Sequence, residues 1–125
     1  MYRFLMALLL MLSLCTVTQA EVVKVGKVDV TKYTWTGSQT SSDKWPCNGH
    51  IALSRDIIRK HKVKFGDKVI IPGVGEFIYE DWMPPQWHRR CDIYTHDKKA
   101  AQKWGRLKNQ TMIIVKRYHG KSGTF

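Results

Sequence analysis

Two aspartates, Asp81 and Asp92, stand at the ends of what read as two neighbouring strands. Carboxyls brought together can act as proton donor and acceptor, provided burial or a second charge keeps one of them protonated. Each also has an ordinary alternative. Asp81 can be one more polar strand end beside Glu80. Asp92 can pair with Arg89 or Arg90, which would lower its pKa, the wrong direction for a general acid. Trp82 and Trp87 flank the loop between the aspartates. Indole stacks on the C–H faces of sugar rings, so both suit a glycan groove. Trp45 lies in a polar loop beside Pro46 and Cys47, where packing and ligand contact compete evenly. Trp35 and Trp104 read as core, and His88 as a surface histidine able to orient a carboxyl.

Other chemistries lack their residues. No C-x-x-C and no H-x-x-x-H occurs. His88 and Cys91 stand three apart, but no stable helix between Pro85 and the next strand would align them on a metal. Neither G-x-G-x-x-G nor a P-loop is present, so no nucleotide cofactor is expected. The expectation is no metal and no cofactor.

The compartment follows from the first 20 residues, MYRFLMALLLMLSLCTVTQA. Arg3 precedes an apolar run, Phe4 to Leu14, and Thr18-Gln19-Ala20 offers a cleavage site. This reads as a signal peptide, residues 1–20. The run is too short to span a bilayer comfortably, which takes about 20 apolar residues. No membrane span is expected after cleavage, and the protein is expected to be secreted or periplasmic. Residues 21–125 then form a single domain. Cleavage leaves two cysteines, Cys47 and Cys91. An even count in an oxidising compartment predicts a disulfide between them; two reduced thiols are the alternative. The net charge of +11, from 21 Lys and Arg against 10 Asp and Glu, favours anionic partners. Nucleic acid is not expected outside the cell, so the charge points to an anionic envelope polymer. Lys98, Lys99, Lys103 and Arg106 read as a solvated face.

The elements that would position these residues are short. Glu21 to Trp35 reads as a long first strand, with Val23, Val28, Val30 and Tyr33 as β-formers. Ile51–Leu53, Lys68–Ile71, Glu76–Asp81, Asp92–Thr95 and Thr111–Arg117 read as further strands. Pro72-Gly73-Val74-Gly75 is a tight turn. Ser54 is placed to cap a helix through Lys60, and Asp97 to cap one over Lys98–Trp104 that Gly105 stops. Six short strands and two short helices suggest a barrel or a sandwich, which spacing alone does not decide.

From Gly49 to Arg117 an ordered set of short pieces resembles the three-aspartate (3D) domain family of double-psi β-barrels, related to membrane-bound lytic transglycosylase A, rare lipoprotein A and the expansins. Ile51-Ala52-Leu53 is similar to the family's I-A-V strand and Phe65-Gly66-Asp67-Lys68-Val69 to its L-G-T-K-V. Gly73-Val74-Gly75 resembles its hairpin turn, Glu80-Asp81 its E-D, Arg90 to Tyr94 its R-I-D-L-Y, and Ala100 to Arg106 its helix end. Lys32-Tyr33-Thr34 is similar to its A-Y-T strand. Two family aspartates fall on Asp81 and Asp92, eleven residues apart. Ser54 stands where the family has the third, and Met83 to His88 replaces its G-G-A-I-K-G loop.

The resemblance implies a mainly β fold, a six-stranded double-psi β-barrel with two short helices. It implies a peptidoglycan-active protein of lytic transglycosylase type, cleaving between N-acetylmuramic acid and N-acetylglucosamine to a 1,6-anhydro product. Asp92 would be the acid/base, and Asp81 would raise its pKa and orient it. Tyr33, Thr34, Trp82 and Trp87 would bind substrate, either peptidoglycan or another anionic cell-wall glycan. The alternatives are a non-catalytic wall-binding module of the expansin type and an exported inhibitor or structural protein using the barrel as scaffold. The last would have both aspartates in ion pairs.

Overall fold

The computed structural model describes residues 21–35 and 37–117. The expected leader lies outside them. Six strands occur among the described residues: β1 (Glu21–Tyr33), β2 (His50–Leu53), β3 (Lys68–Ile71), β4 (Gly75–Trp82), β5 (Arg90–Tyr94) and β6 (Leu107–Lys116). Helices α1 (Arg55–His61) and α2 (Lys98–Trp104) complete the fold. The strands close into one barrel in the order β1-β5-β2-β4-β3-β6, which selects the barrel over the sandwich. β1 pairs with β5, and β2 with β4, in parallel; the remaining pairs are antiparallel.

β1 serves two neighbours because it bends. Its first half pairs with β6 and its second, Asp29–Tyr33, with β5, with register shifts around Val28. Lys27 sits at a φ of 55° in this stretch, and such irregularities turn a strand sharply. Alternation then aims Val28 and Val30 inward, where they meet Ile51, Leu53, Val69, Ile71, Met112 and Ile114, all nearly or fully inaccessible. Burying each such side chain contributes about 1.5–3 kcal/mol. The hairpin between β3 and β4 turns where expected. Gly73 has a φ of 82° there, a conformation that side chains with a Cβ resist, and Val74 N donates to Ile71 O at 2.9 Å.

Some expectations need correction. β1 ends at Tyr33 rather than Trp35, and β6 begins at Leu107 rather than Thr111. The polar run Lys108–Gln110 carries no alternating apolar signal; it joins the strand because β1 supplies partners, Val30 to Leu107 and Val28 to Gln110. Trp35 is 56% exposed and meets Trp45 edge to face at 6.4 Å, so it is not core. Trp104 does pack against the core, with its Nε1 donating to Val30 O. Asp97 caps α2 by accepting from Ala100 N at 3.1 Å. Ser54 occupies the cap position of α1 but its hydroxyl does not cap. It accepts from Arg90 N at 3.1 Å, while Ser54 N donates to Arg90 O at 2.9 Å. Ser54 therefore ties the start of α1 to the start of β5.

The expected disulfide is absent: Cys47 and Cys91 are free thiols. Cys91 precedes Asp92 on β5 and so faces the opposite side, inside the barrel, with no accessible surface. Cys47 is exposed in the loop before β2. An even cysteine count carries no information about which way a strand residue faces.

Candidate active site

One row of side chains crosses four strands. Thr31 on β1 is in register with Asp92 on β5, Asp92 with Ala52 on β2, and Ala52 with Asp81 on β4. Residues opposite one another in neighbouring strands share a face. Strands lie 4.7–4.9 Å apart, so the two aspartate backbones are separated by about 9–10 Å. Ala52 between them is too small to fill the gap. A cleft of about 210 Å³ results, walled also by Tyr33, Trp82, Met83 and Pro84. It shares Tyr33, Asp81, Trp82 and Pro84 with a larger cleft of about 390 Å³ that continues to Ser38, Gln39, Pro46 and Arg55. Together they form an open groove of ligand-binding dimensions.

A bulge makes this row possible. Ile51 pairs with Tyr79, but Ala52 pairs with Asp81, so Glu80 is the extra residue. Bulges commonly re-aim a side chain beside a site. Glu80 turns away and is buried, with Oε1 paired to Lys44 Nζ at 2.9 Å. Burial opposes its charge, but donors on Ser42 and Lys44 prevail and hold the carboxyl below its ordinary range.

The two aspartates differ in environment. Burial raises the pKa of Asp92, and the charge of Asp81 adds to the rise; Thr31 and Arg90 oppose it. Thr31 Oγ1 donates to Asp92 Oδ1 at 2.9 Å. Asp81 Oδ1 accepts from Ser41 N at 3.0 Å, Ser41 Oγ at 2.6 Å and Trp82 N at 2.9 Å. Three donors thus hold the Asp81 side chain in place, while burial tilts Asp92 toward its protonated form. The expected pair acts differently from the expectation in one respect: burial, more than Asp81, raises Asp92. Among the described residues no ion pair engages either aspartate.

Tyr33 lines both clefts. Its hydroxyl is buried with no hydrogen-bond partner. Burial and then the charges of Asp81 and Asp92 push its pKa upward, so it stays a donor. Trp82 is 46% exposed and lines the groove, with Phe65 against its ring and the Arg55 guanidinium 5.4 Å from its centroid. Trp87 does not line the groove; the Arg90 guanidinium stacks on it at 4.0 Å. Thr34 lies with Lys32, Lys98 and Gln102 in a further cleft that shares Tyr33 with the groove but contains neither aspartate. His88 is exposed, as expected.

The arginines divide. Arg89 turns away from the site, donating to the carbonyls of Gly26 and Lys27. Arg90 does not, because β5 already begins there and alternation puts Arg90 on the face of Asp92. Its Nη2 reaches Thr31 Oγ1 at 3.5 Å. Sequence reasoning missed Thr31, Ser41 and Arg55. Thr31 could have been found from its alternation with Tyr33 on β1; Ser41, one of several hydroxyls in a polar loop, carried no signal. Among the described residues no three His, Cys, Asp or Glu side chains gather to hold a metal ion, and no helix is long and apolar enough to cross a membrane. Neither a protein-family model nor a curated protein matches this sequence.

Proposed function

We propose that this chain is an exported, peptidoglycan-active protein with a site of the lytic transglycosylase type, carried on a double-psi barrel of the three-aspartate kind. The observation that supports this most is the row Thr31–Asp92–Ala52–Asp81, whose last three members line an open groove, with Asp92 shifted by burial toward its protonated form. In this reading Asp92 protonates the glycosidic oxygen as the bond to the anomeric carbon breaks. Its conjugate base then takes the proton of the muramoyl 6-hydroxyl as that oxygen attacks the same carbon. No water is consumed and a 1,6-anhydro ring closes. Asp81, held by Ser41 and Trp82 N, faces the developing positive charge on the sugar. The Tyr33 ring lines the groove, and the exposed part of Trp82 takes a sugar ring face.

A second reading, a wall-binding module without turnover, is favoured by Arg90. Its charge reaches Asp92 through Thr31 and opposes protonation. Incubating the protein with purified sacculi and analysing the soluble fraction by mass spectrometry separates the two. Release of 1,6-anhydromuropeptides supports turnover. Binding to sacculi without release supports the module.

A further inference from the structure

We propose that Cys47 and His50 form a second reactive centre at the rim of this groove, a thiol served by a base and suited to exchange with disulfides. Cys47 Sγ and His50 Nε2 stand 3.2 Å apart, the arrangement of a nucleophile and the group that takes its proton. Cys47 is exposed, so a reactant can approach its sulfur. His50 begins β2, two residues before Ala52, and alternation puts it on the face of the aspartate row. Pro46, next to Cys47, lines the larger cleft with Asp81 and Tyr33.

The surroundings keep His50 usable as a base. Burial lowers its pKa and Lys44 adds to that, while the charges of Glu80 and Asp81 oppose. A neutral imidazole can accept a proton at physiological pH. The carboxylates of Glu80 and Asp81 then favour the imidazolium formed during attack. His50 Nδ1 is buried with no partner, so the sulfur contact is the hydrogen bond that orients the ring.

The exchange balances without a further reagent. His50 takes the thiol proton, and the sulfur electron pair attacks one sulfur of an incoming disulfide. The S–S bond of that disulfide breaks, and the departing thiolate takes the proton from His50. Cys47 is left in a mixed disulfide and one thiol is released. The chemical class of reactant is a small-molecule or protein disulfide. Cys91 is an internal control, since it is fully buried and burial pushes its thiol pKa upward.

The probe is dithiobis(nitrobenzoate), whose released thiolate is coloured. The native protein should show one fast thiol per chain, and a second only in denaturant. Cys47→Ser should remove the fast phase and leave the circular dichroism spectrum unchanged. His50→Gln keeps size and polarity but cannot take the proton; it should slow the fast phase roughly tenfold or more. In denaturant, His50→Gln and wild type should react alike. A folded His50→Gln protein reacting at the wild-type rate overturns the proposal, as does a fast phase that survives Cys47→Ser. Absence of any thiol in unreduced denatured protein also overturns it, because the cysteines would then be bridged. If His50→Gln fails to fold, the wild type decides: Cys47 must react faster in the native than in the denatured chain.

Discussion

Asp81 and Asp92 flank a single small residue, Ala52, in one row across three adjacent strands. They neither touch nor share a proton. The spacing leaves an open cleft between them, which on the proposed reading a sugar would occupy. Burial shifts the Asp92 carboxyl toward its neutral form, while the Asp81 carboxyl is gripped by three donors. A buried carboxyl whose pKa is raised is the kind of group that can deliver a proton to a breaking bond.

Asp92→Asn should abolish release of anhydromuropeptides, by about a hundredfold or more, because an amide cannot pass a proton in either direction. Binding to sacculi should persist. Asn keeps an acceptor for Thr31, so the fold should be retained. Full release by a folded Asp92→Asn protein would remove Asp92 from the mechanism.

Ser41→Ala should weaken turnover by roughly ten- to a hundredfold, the loss expected for one charge-assisted hydrogen bond of about 1.5–3 kcal/mol. The Ser41 hydroxyl lies 2.6 Å from Asp81 Oδ1, while the backbone donors of Ser41 and Trp82 remain in the variant. The effect should fall on kcat more than on KM if, as proposed, Asp81 meets charge that develops only during reaction. An equal rise in KM with kcat unchanged would make Ser41 a binding residue instead.

The parts of this molecule legible in its sequence are those set by local rules. The turn at Pro72–Gly75, the Asp97 cap and the inward valines of β1 each follow from residue chemistry over a few positions. The aspartates stood out as candidates through the resemblance to the three-aspartate family, whose pattern places two of its aspartates on Asp81 and Asp92. What was not legible depends on partners far along the chain. The bulge at Glu80 exists only in relation to β2. The inward face of Cys91 and the groove face of Arg90 follow from where β5 begins, which Asp29 on β1 decides by pairing with Arg90. Trp35 looked like core because it continues the β1 pattern, yet the ladder ends at Tyr33 and leaves it outside.

The Glu80 bulge should depend on Lys44. Glu80 is buried and its Oε2 has no partner, so the contact of Oε1 with Lys44 offsets part of the burial cost. Lys44→Met should destabilise the protein by about 1–2 kcal/mol, less than a fully buried pair because Lys44 is itself exposed. Glu80→Gln removes the charge, so Lys44→Met in that background should cost much less. Urea titrations of the two single variants and the double variant measure the difference; purely additive losses would show that the pair does not support the bulge.

Asp92 should leave a signature in stability against pH. Its folded pKa is raised above the ordinary value of 3.8, so folding favours the protonated form. The sign follows: this contribution is fully present below the unfolded pKa and is lost as pH rises through the folded value. At neutral pH Asp92 is therefore a burden on the fold, as site residues often are. Asp92→Asn, neutral at every pH, should melt higher than wild type at pH 7. The advantage should shrink as pH falls through the window between the raised folded pKa and 3.8, and vanish below it. Thermal melts of both proteins across that window test this directly. A variant less stable than wild type at pH 7 and equal to it in acid would mean that Asp92 is stabilised as a carboxylate, through Thr31 and Arg90, and is unsuited to donate a proton.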